Sequence, residues 1–556
     1  MLTNKNINYF HFILFFILLV FIFFMSFHPV EATVVKWTGN GNGVNWSDPQ
    51  NWNTGVLPTS NDDIIISGND TVKSIVTLDM DFDLIGSITI RASGILVTDK
   101  SFSNDGTINN YGTASFQSLI INRGTFINRD SGTINNMNYF RNTVLGILAN
   151  SGTLINSGVI SNQLVIYNYG VINNSAGNLY NSGTINNNHD AIINNNLSGT
   201  FANSGIVNND LGGTINNNSL GSFDNFGTID NSGTINNKSG CIINNKTEGV
   251  INNNSAGNLY NSGTINNNPD AIINNNLSGT FTNSGTINND SGSILSNHMG
   301  GVINNNSGGK INISDATLAN SGTFNNNATL NNHRGYIVNS LGGCIINNSG
   351  GIFINSGTIH NKSKSIISNQ AGVIVNANSG TINNDSGSIL SNHMGGVINN
   401  NSGGKINNSD ATLANSGTFN NNSIIRNYSR GMIYNSGPFS NSSVGKIINN
   451  SGGDINNKLD SFANFGTIDN SGTIDNNSTI RNHTGAIINN NSGGDIDNIS
   501  GNNIFNSGVI NNNSKAIITN HEGSKIYDFG IIQNDCTSII NNSGEVLFNQ
   551  IDQIAC

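Results

Sequence analysis

The chain has 556 residues and a formal net charge of −10; only 10% of its residues are charged, and it carries 65 Gly and 5 Pro. With charge this dilute and no basic run, a phosphate-neutralising nucleic-acid surface and steering by a strong overall field are both excluded. So much Asn, Gly and Ser with so few charges would suit a disordered tract, but the hydrophobic 36% recurs at regular intervals, which predicts a folded, repetitive core.

The first element is a targeting segment. Lys5 precedes an unbroken apolar run from Phe12 to Met25, and Val30-Glu31-Ala32 supplies small residues at the −3 and −1 positions. This pattern predicts a signal peptide over residues 1–32, cleaved after Ala32. The alternative is an uncleaved anchor over Phe10 to Phe27, short for a membrane helix. No second apolar run of spanning length follows, so the mature chain is expected to be secreted or at the cell surface, with no membrane span of its own.

Residues 33–100 are expected to form an N-terminal cap and the first strands. All three Trp of the chain, Trp37, Trp46 and Trp52, fall here, followed by Pro58. Their apolar area suits the sealing of one end of a repetitive core; an exposed carbohydrate platform is the competing reading. Downstream, Leu78-Asp79-Met80-Asp81-Phe82-Asp83-Leu84 alternates strictly. On a strand this puts Asp79, Asp81 and Asp83 on one face. They are either a weak Ca²⁺ candidate or a charged strand edge that discourages edge pairing.

Residues 101–535 are written in one short unit, Gly-x-Φ-x-Asn, with Φ an Ile, Leu, Val or Phe. Gly106-Thr-Ile-Asn-Asn110, Gly124-Thr-Phe-Ile-Asn128 and Gly508-Val-Ile-Asn-Asn512 are clean copies; Asp190-Ala-Ile-Ile-Asn194 and Ala411-Thr-Leu-Ala-Asn415 are degenerate ones. The period is two, so Φ and the final Asn share the inward side of an extended strand. An inward Asn is tolerable only if its amide is hydrogen-bonded, to a stacked Asn in the next coil or to turn backbone. The Gly fits a corner needing positive φ or close approach. Φ residues recur every six to nine positions, as in Ile229, Ile235, Ile242, Ile251, Leu259 and Ile265. Strands so short, with no helical crossovers, are best satisfied by an all-β architecture: a single long parallel β-helix, or β-solenoid. Three strands per coil would give about 20 coils and a rod of about 90–100 Å; two would give a longer, flatter rod.

Near-verbatim duplications support growth by internal copying. Residues 283–327 recur as 378–422 with one difference, Ile313 against Asn408, and residues 173–205 recur as 253–285 with two. Neither offset, by unit count, divides by three or by two, so the copies are not expected on the same face of a regular rod.

Residues 37–66 resemble the motif that opens many secreted prokaryotic β-helix and adhesin-like surface proteins, through Trp37, Gly39, Trp46, Asn51, Trp52, Gly55, Pro58, Asp62 or Asp63, and Ile66. The repeats are similar, more loosely, to those of filamentous haemagglutinin-type adhesins. The resemblance implies a right-handed parallel β-helix with a Trp-rich N-terminal cap, and no particular chemistry.

Residues 536–556 are expected to close the C-terminal end, with Cys536 and Cys556 placed to bridge there. Cys241 and Cys344 share the context Gly-Cys-Ile-Ile-Asn and the same expected place in the repeat. No metal-binding His or Cys spacing, nucleophile elbow or phosphate loop occurs, so no cofactor and no metal are expected. Asp495 and Asp497, flanking Ile496, form the best carboxylate pair; a solvated strand face is their ordinary reading. The outward x positions, often Thr then Asn, stack into hydroxyl and amide rows. These features predict a non-enzymatic structural or adhesive solenoid whose partners are surface glycans, extracellular matrix or its own copies. A non-binding spacer or surface-layer component and a carbohydrate-active β-helix enzyme are the alternatives.

Overall fold

A computed structural model of the protein describes residues 32–68, 72–339, 344–347, 352–362, 364–377, 380–548 and 552–553. The expected signal sequence, apart from Ala32, and Cys556 lie outside these residues. Each repeat unit forms a strand, usually of four residues, and then turns a corner. A strand this short is stabilised only by its neighbours, and each pairs in parallel with the strand three units later. Thr107–Asn110 pairs with Thr125–Asn128, which pairs with Ile147–Asn150. The chain therefore climbs with three strands per coil. Among the described residues it builds a first sheet of 25 strands (Val34–Lys36, Asp63–Ile66, Ser87–Ile90 and onward) and two of 23, one beginning at Ser74–Leu78 and the other at Phe82–Leu84. At about 4.8 Å per strand spacing the rod is about 115 Å long.

Alternation within each strand does the burying. In Thr107–Asn110, Ile108 and Asn110 are buried while Thr107 and Asn109 face outward. The corner glycines are required by close approach rather than by backbone sign. A Cβ on Gly124 would sit 2.1 Å from the Gly106 carbonyl oxygen of the coil below, and one on Gly205 would sit 2.0 Å from that of Gly183. Positive φ is instead found in the four-residue turns, as at Gly212 and Gly300.

Some units sit one residue away from the expected register. In the unit beginning at Asp190 the strand is Ile192–Asn196, with Ile193 and Asn195 inward, not Ile192 and Asn194. Ile242, expected in the core, is 41% exposed, and Ile243 takes its place. The two Gly-Cys-Ile-Ile-Asn strings are also out of step: Cys241 is a buried turn residue before the strand Ile242–Asn245, whereas Cys344 is the first, outward residue of Cys344–Asn347. Four residues separate each strand from the inward Asn before it, Asn237 or Asn339. Turn length thus sets the register, and a slip of one residue exchanges the two faces.

The inward Asn residues form continuous hydrogen-bonded ladders. On the first sheet Nδ2 of each Asn donates to Oδ1 of the next from Asn110 to Asn534, without a break, at 2.7–3.0 Å. The second N–H of the amide caps strand or turn carbonyls, as Asn110 does for Thr133 and Asn128 for Gly132. These bonds remove the penalty of burying an amide, about 1–3 kcal/mol for each group left unpaired.

The ladders have a direction: donors point to the C-terminal end. The first Asn of a run therefore has no donor beneath it. Asn104, Asn136 and Asn332, which follow Leu84, Phe116 and Ile313 directly in register, each carry an Oδ1 without a hydrogen bond. The last place in the third ladder is taken by Asp528, which accepts from Asn506. A carboxylate, which only accepts, fits only at that end.

Inside the amide ladders the rod axis is filled by the Φ residues. Phe201 and Phe223 stack at 4.4 Å, and Phe419, Phe439 and Phe462 stack at 4.7 and 4.6 Å. From Ile468 to Ile540 every Φ residue is Ile, and these coils leave a narrow apolar bore along the axis.

The duplicated segments do land on different faces. Thr286–Asn289 belongs to the third sheet and its copy Thr381–Asn384 to the first; Asn178–Asn181 belongs to the third and its copy Asn258–Asn261 to the second.

Candidate functional site

The N-terminal Trp residues are packed, not displayed. Trp37 and Trp52 meet edge-on at 5.0 Å, Trp46 and Trp52 at 4.8 Å, and Trp46 continues onto Phe82 at 5.0 Å. All three are buried, as is Pro58. Trp52 Nε1 donates to the Trp46 carbonyl. The loop between them is organised by buried Asn51, whose Oδ1 accepts from the backbone of Gly41 and Gly43 and whose Nδ2 donates to Asn42 and Asn45. That loop also covers a sheet edge: Trp46 N–H donates to the Thr77 carbonyl and Thr77 N–H to that of Val44. It thereby closes the first strand of the second sheet, which would otherwise be open to pairing with another chain. Buried on this scale, the Trp faces offer no carbohydrate platform.

The three alternating aspartates do not share a strand face. The chain ends one strand at Leu78, turns, and begins the next at Phe82. Asp79 accepts from the backbone N–H and hydroxyl of Ser47 in the cap loop, Asp81 accepts from the N–H of Ser101, and Asp83 faces outward on its strand. Among the described residues no three His, Cys, Asp or Glu side chains are grouped to hold a metal. Cys241 is buried, and burial pushes the half-exposed Cys344 thiol up.

Asp495 and Asp497 do point outward together, on the second sheet. The structure adds neighbours that sequence proximity could not supply. Asp475 lies beside Asp497 in the adjacent coil, Asp454 one coil further, and His521 Nε2 sits 2.7 Å from Asp497 Oδ1. Burial first, and then Asp497, push the Asp475 and Asp495 carboxyls above the usual range.

The outer faces carry their own amide ladders, running in the opposite sense. On the third sheet Asn244 donates to Asp224, and Asn266, Asn288, Asn312 and Asn331 each donate to the residue one coil below. Ladders on the first sheet likewise start on Asp230 and Asp469. An acceptor-only residue at the N-terminal end requires donors pointing back toward it. Further along the third sheet the same column becomes aromatic: Phe505 and Tyr527 stack at 4.6 Å with Arg481 over Phe505 at 4.7 Å.

The Asp224–Asn331 row ends at a cleft of about 390 Å³. It lies where Ile313 interrupts the inner ladder of the third sheet, and its lining includes Asn288, Asn312, Asn331, Lys310, Asp290 and Ile354. Two five-residue strands, Lys310–Ser314 and Thr329–His333, run beside it, followed by positive φ at Asp315 and Arg334, which form an ion pair at 3.3 Å. Sequence reasoning noted Ile313 as a difference between copies. It could not know that the position faces inward at a ladder site.

No family model matches the chain, and no curated protein matches it. Among solved structures it is similar to a hyper-glycosylated fragment of TibA, produced by catalysis with TibC, at 18% identity; the match covers 63% of this chain and 99% of that one, with a TM-score of 0.23. No helix among the described residues is long and apolar enough to cross a membrane.

Proposed function

We propose that the protein is a secreted or cell-surface solenoid with a structural and adhesive role, holding polar faces toward a glycan-bearing surface or matrix. The observation that carries this reading is the outer column of the third sheet. There, amide groups repeat at one-coil spacing from Asn244 to Asn331 above the Asp224 carboxylate, and the column later turns into the Arg481, Phe505 and Tyr527 stack. Identical groups at fixed spacing on one body allow many weak contacts to act together, which raises avidity without any strong single site. Thr and Asn rows with little charge also avoid the desolvation cost of buried ions when such a face docks. The aspartate cluster around Asp497 lies on an outer sheet face and is read as part of that surface, not as catalytic machinery.

The test is retention of purified protein on a panel of insoluble polysaccharides and cell-wall fractions, with released reducing and unsaturated ends scored in the same wells. Retention without release is expected. Release of sugar ends would overturn the non-catalytic reading, and absence of both would favour a passive spacer.

A further inference from the structure

The cleft at the ladder break has features that the regular coils lack. Asn332 follows Ile313 in register, is 1% exposed, and its Oδ1 accepts no hydrogen bond. Asn331 ends the outer row because Ile354 follows it in register, so no side-chain amide above donates to its Oδ1. Lys310 forms no ion pair among the described residues. The opening thus brings together amide donors and acceptors one coil apart, one ammonium, one carboxylate at Asp290, and an apolar wall at Ile354.

We propose that this cleft binds a unit of a neutral, hydroxyl-rich saccharide. The proposal deepens the adhesive reading and rests on it. Each amide keeps an unused N–H or lone pair, so the lining both donates and accepts, as a ring bearing several hydroxyls requires. An apolar ligand would leave these groups unpaired at a cost. Lys310 and Asp290 offset one another, which favours a neutral sugar over an acidic one. Ile354 offers a surface for the C–H face of the ring. The volume of about 390 Å³ falls in the range of small-molecule sites.

The copy at 378–422 supplies the internal control. There Asn408 stands where Ile313 does, and its ladder continues to Asn427. Titration calorimetry of the full chain with cellotetraose and with chitotetraose is expected to show saturable one-to-one binding of at least one of them. Asn331→Ala and Ile313→Asn should each weaken it by about tenfold or more, while Asn407→Ala, at the position in the copy that matches Asn312, should leave it unchanged. Thermal melting confirms that each variant is folded. No saturation with either sugar, or binding unaltered in both cleft variants, overturns the proposal. Retention on insoluble polysaccharide, measured in parallel, separates the two readings: retention without soluble binding removes the cleft alone, and loss of both removes the adhesive reading with it.

Discussion

Residues 283–327 and 378–422 are the same sequence except at one position, yet they occupy different faces of the rod and differ in their ladders. In the later copy Asn408 accepts from Asn384 and donates to Asn427. In the earlier one Asn289 finds Ile313 above it and loses the ladder bond, keeping the bond to the Thr317 carbonyl that Asn384 also makes to Thr412, and Asn332 beyond is left with an orphan oxygen. A strand of this grammar therefore folds equally on any face. What it does not tolerate silently is a residue that breaks the amide chain.

Asn408→Asp is expected to have the largest effect. A carboxylate there accepts from Asn384 but cannot donate to Asn427, Ala411 or Met432 as the amide does. The loss should reach about 3 kcal/mol or more at neutral pH, seen as faster amide exchange across the neighbouring coils. Asn408→Ile converts the later copy into the earlier one and leaves only neutral groups unpaired; a loss of about 1–3 kcal/mol is expected in the same measurement. The reverse change, Ile313→Asn, rejoins the third ladder and should slow exchange at Asn332 by the equivalent of about 1 kcal/mol. A loss of protection there would show that the break is accommodated better than a hydrogen bond. The smallest effect concerns aspartates stacked on aspartates instead of on Asn. Asp475 and Asp495 have folded pKa values raised by burial and by Asp497. The folded state then binds their protons more readily than the unfolded chain. Stability in the last third of the rod should therefore rise as pH falls from neutrality through the folded pKa, and level off below the ordinary Asp range near 3.9. Asp475→Asn should flatten that local dependence, read as exchange rates corrected for intrinsic pH effects.

Most of the architecture is legible in the chain because one rule generates it. The alternation in Gly106-Thr-Ile-Asn-Asn110 states which side is inward, and an inward Asn has few physical outlets besides a ladder. Strand count per coil was not legible, since it depends on corner geometry, which Gly124 and Gly205 reveal only through the carbonyls beneath them. Register failed where two apolar residues adjoin. In Cys241-Ile242-Ile243 and Cys344-Ile345-Ile346 the same letters face opposite ways, because the decision belongs to the preceding turn. The Asp79–Asp83 alternation misled for a related reason: a corner falls in its middle. The cap was readable from its three Trp, whereas the cleft was not, because its lining comes from adjacent coils separated in sequence by about twenty residues.

Units that accept any face have a consequence for how such a rod changes over generations. Slippage during replication need not respect multiples of three, as the copies at 173–205 and 253–285 illustrate. Inserting or deleting one unit turns everything downstream by a third of a revolution while the interior stays in step. Reach and facing can then drift separately: a lineage can lengthen the rod without reorienting its far end, or swing a distant patch toward a new target by a single insertion elsewhere.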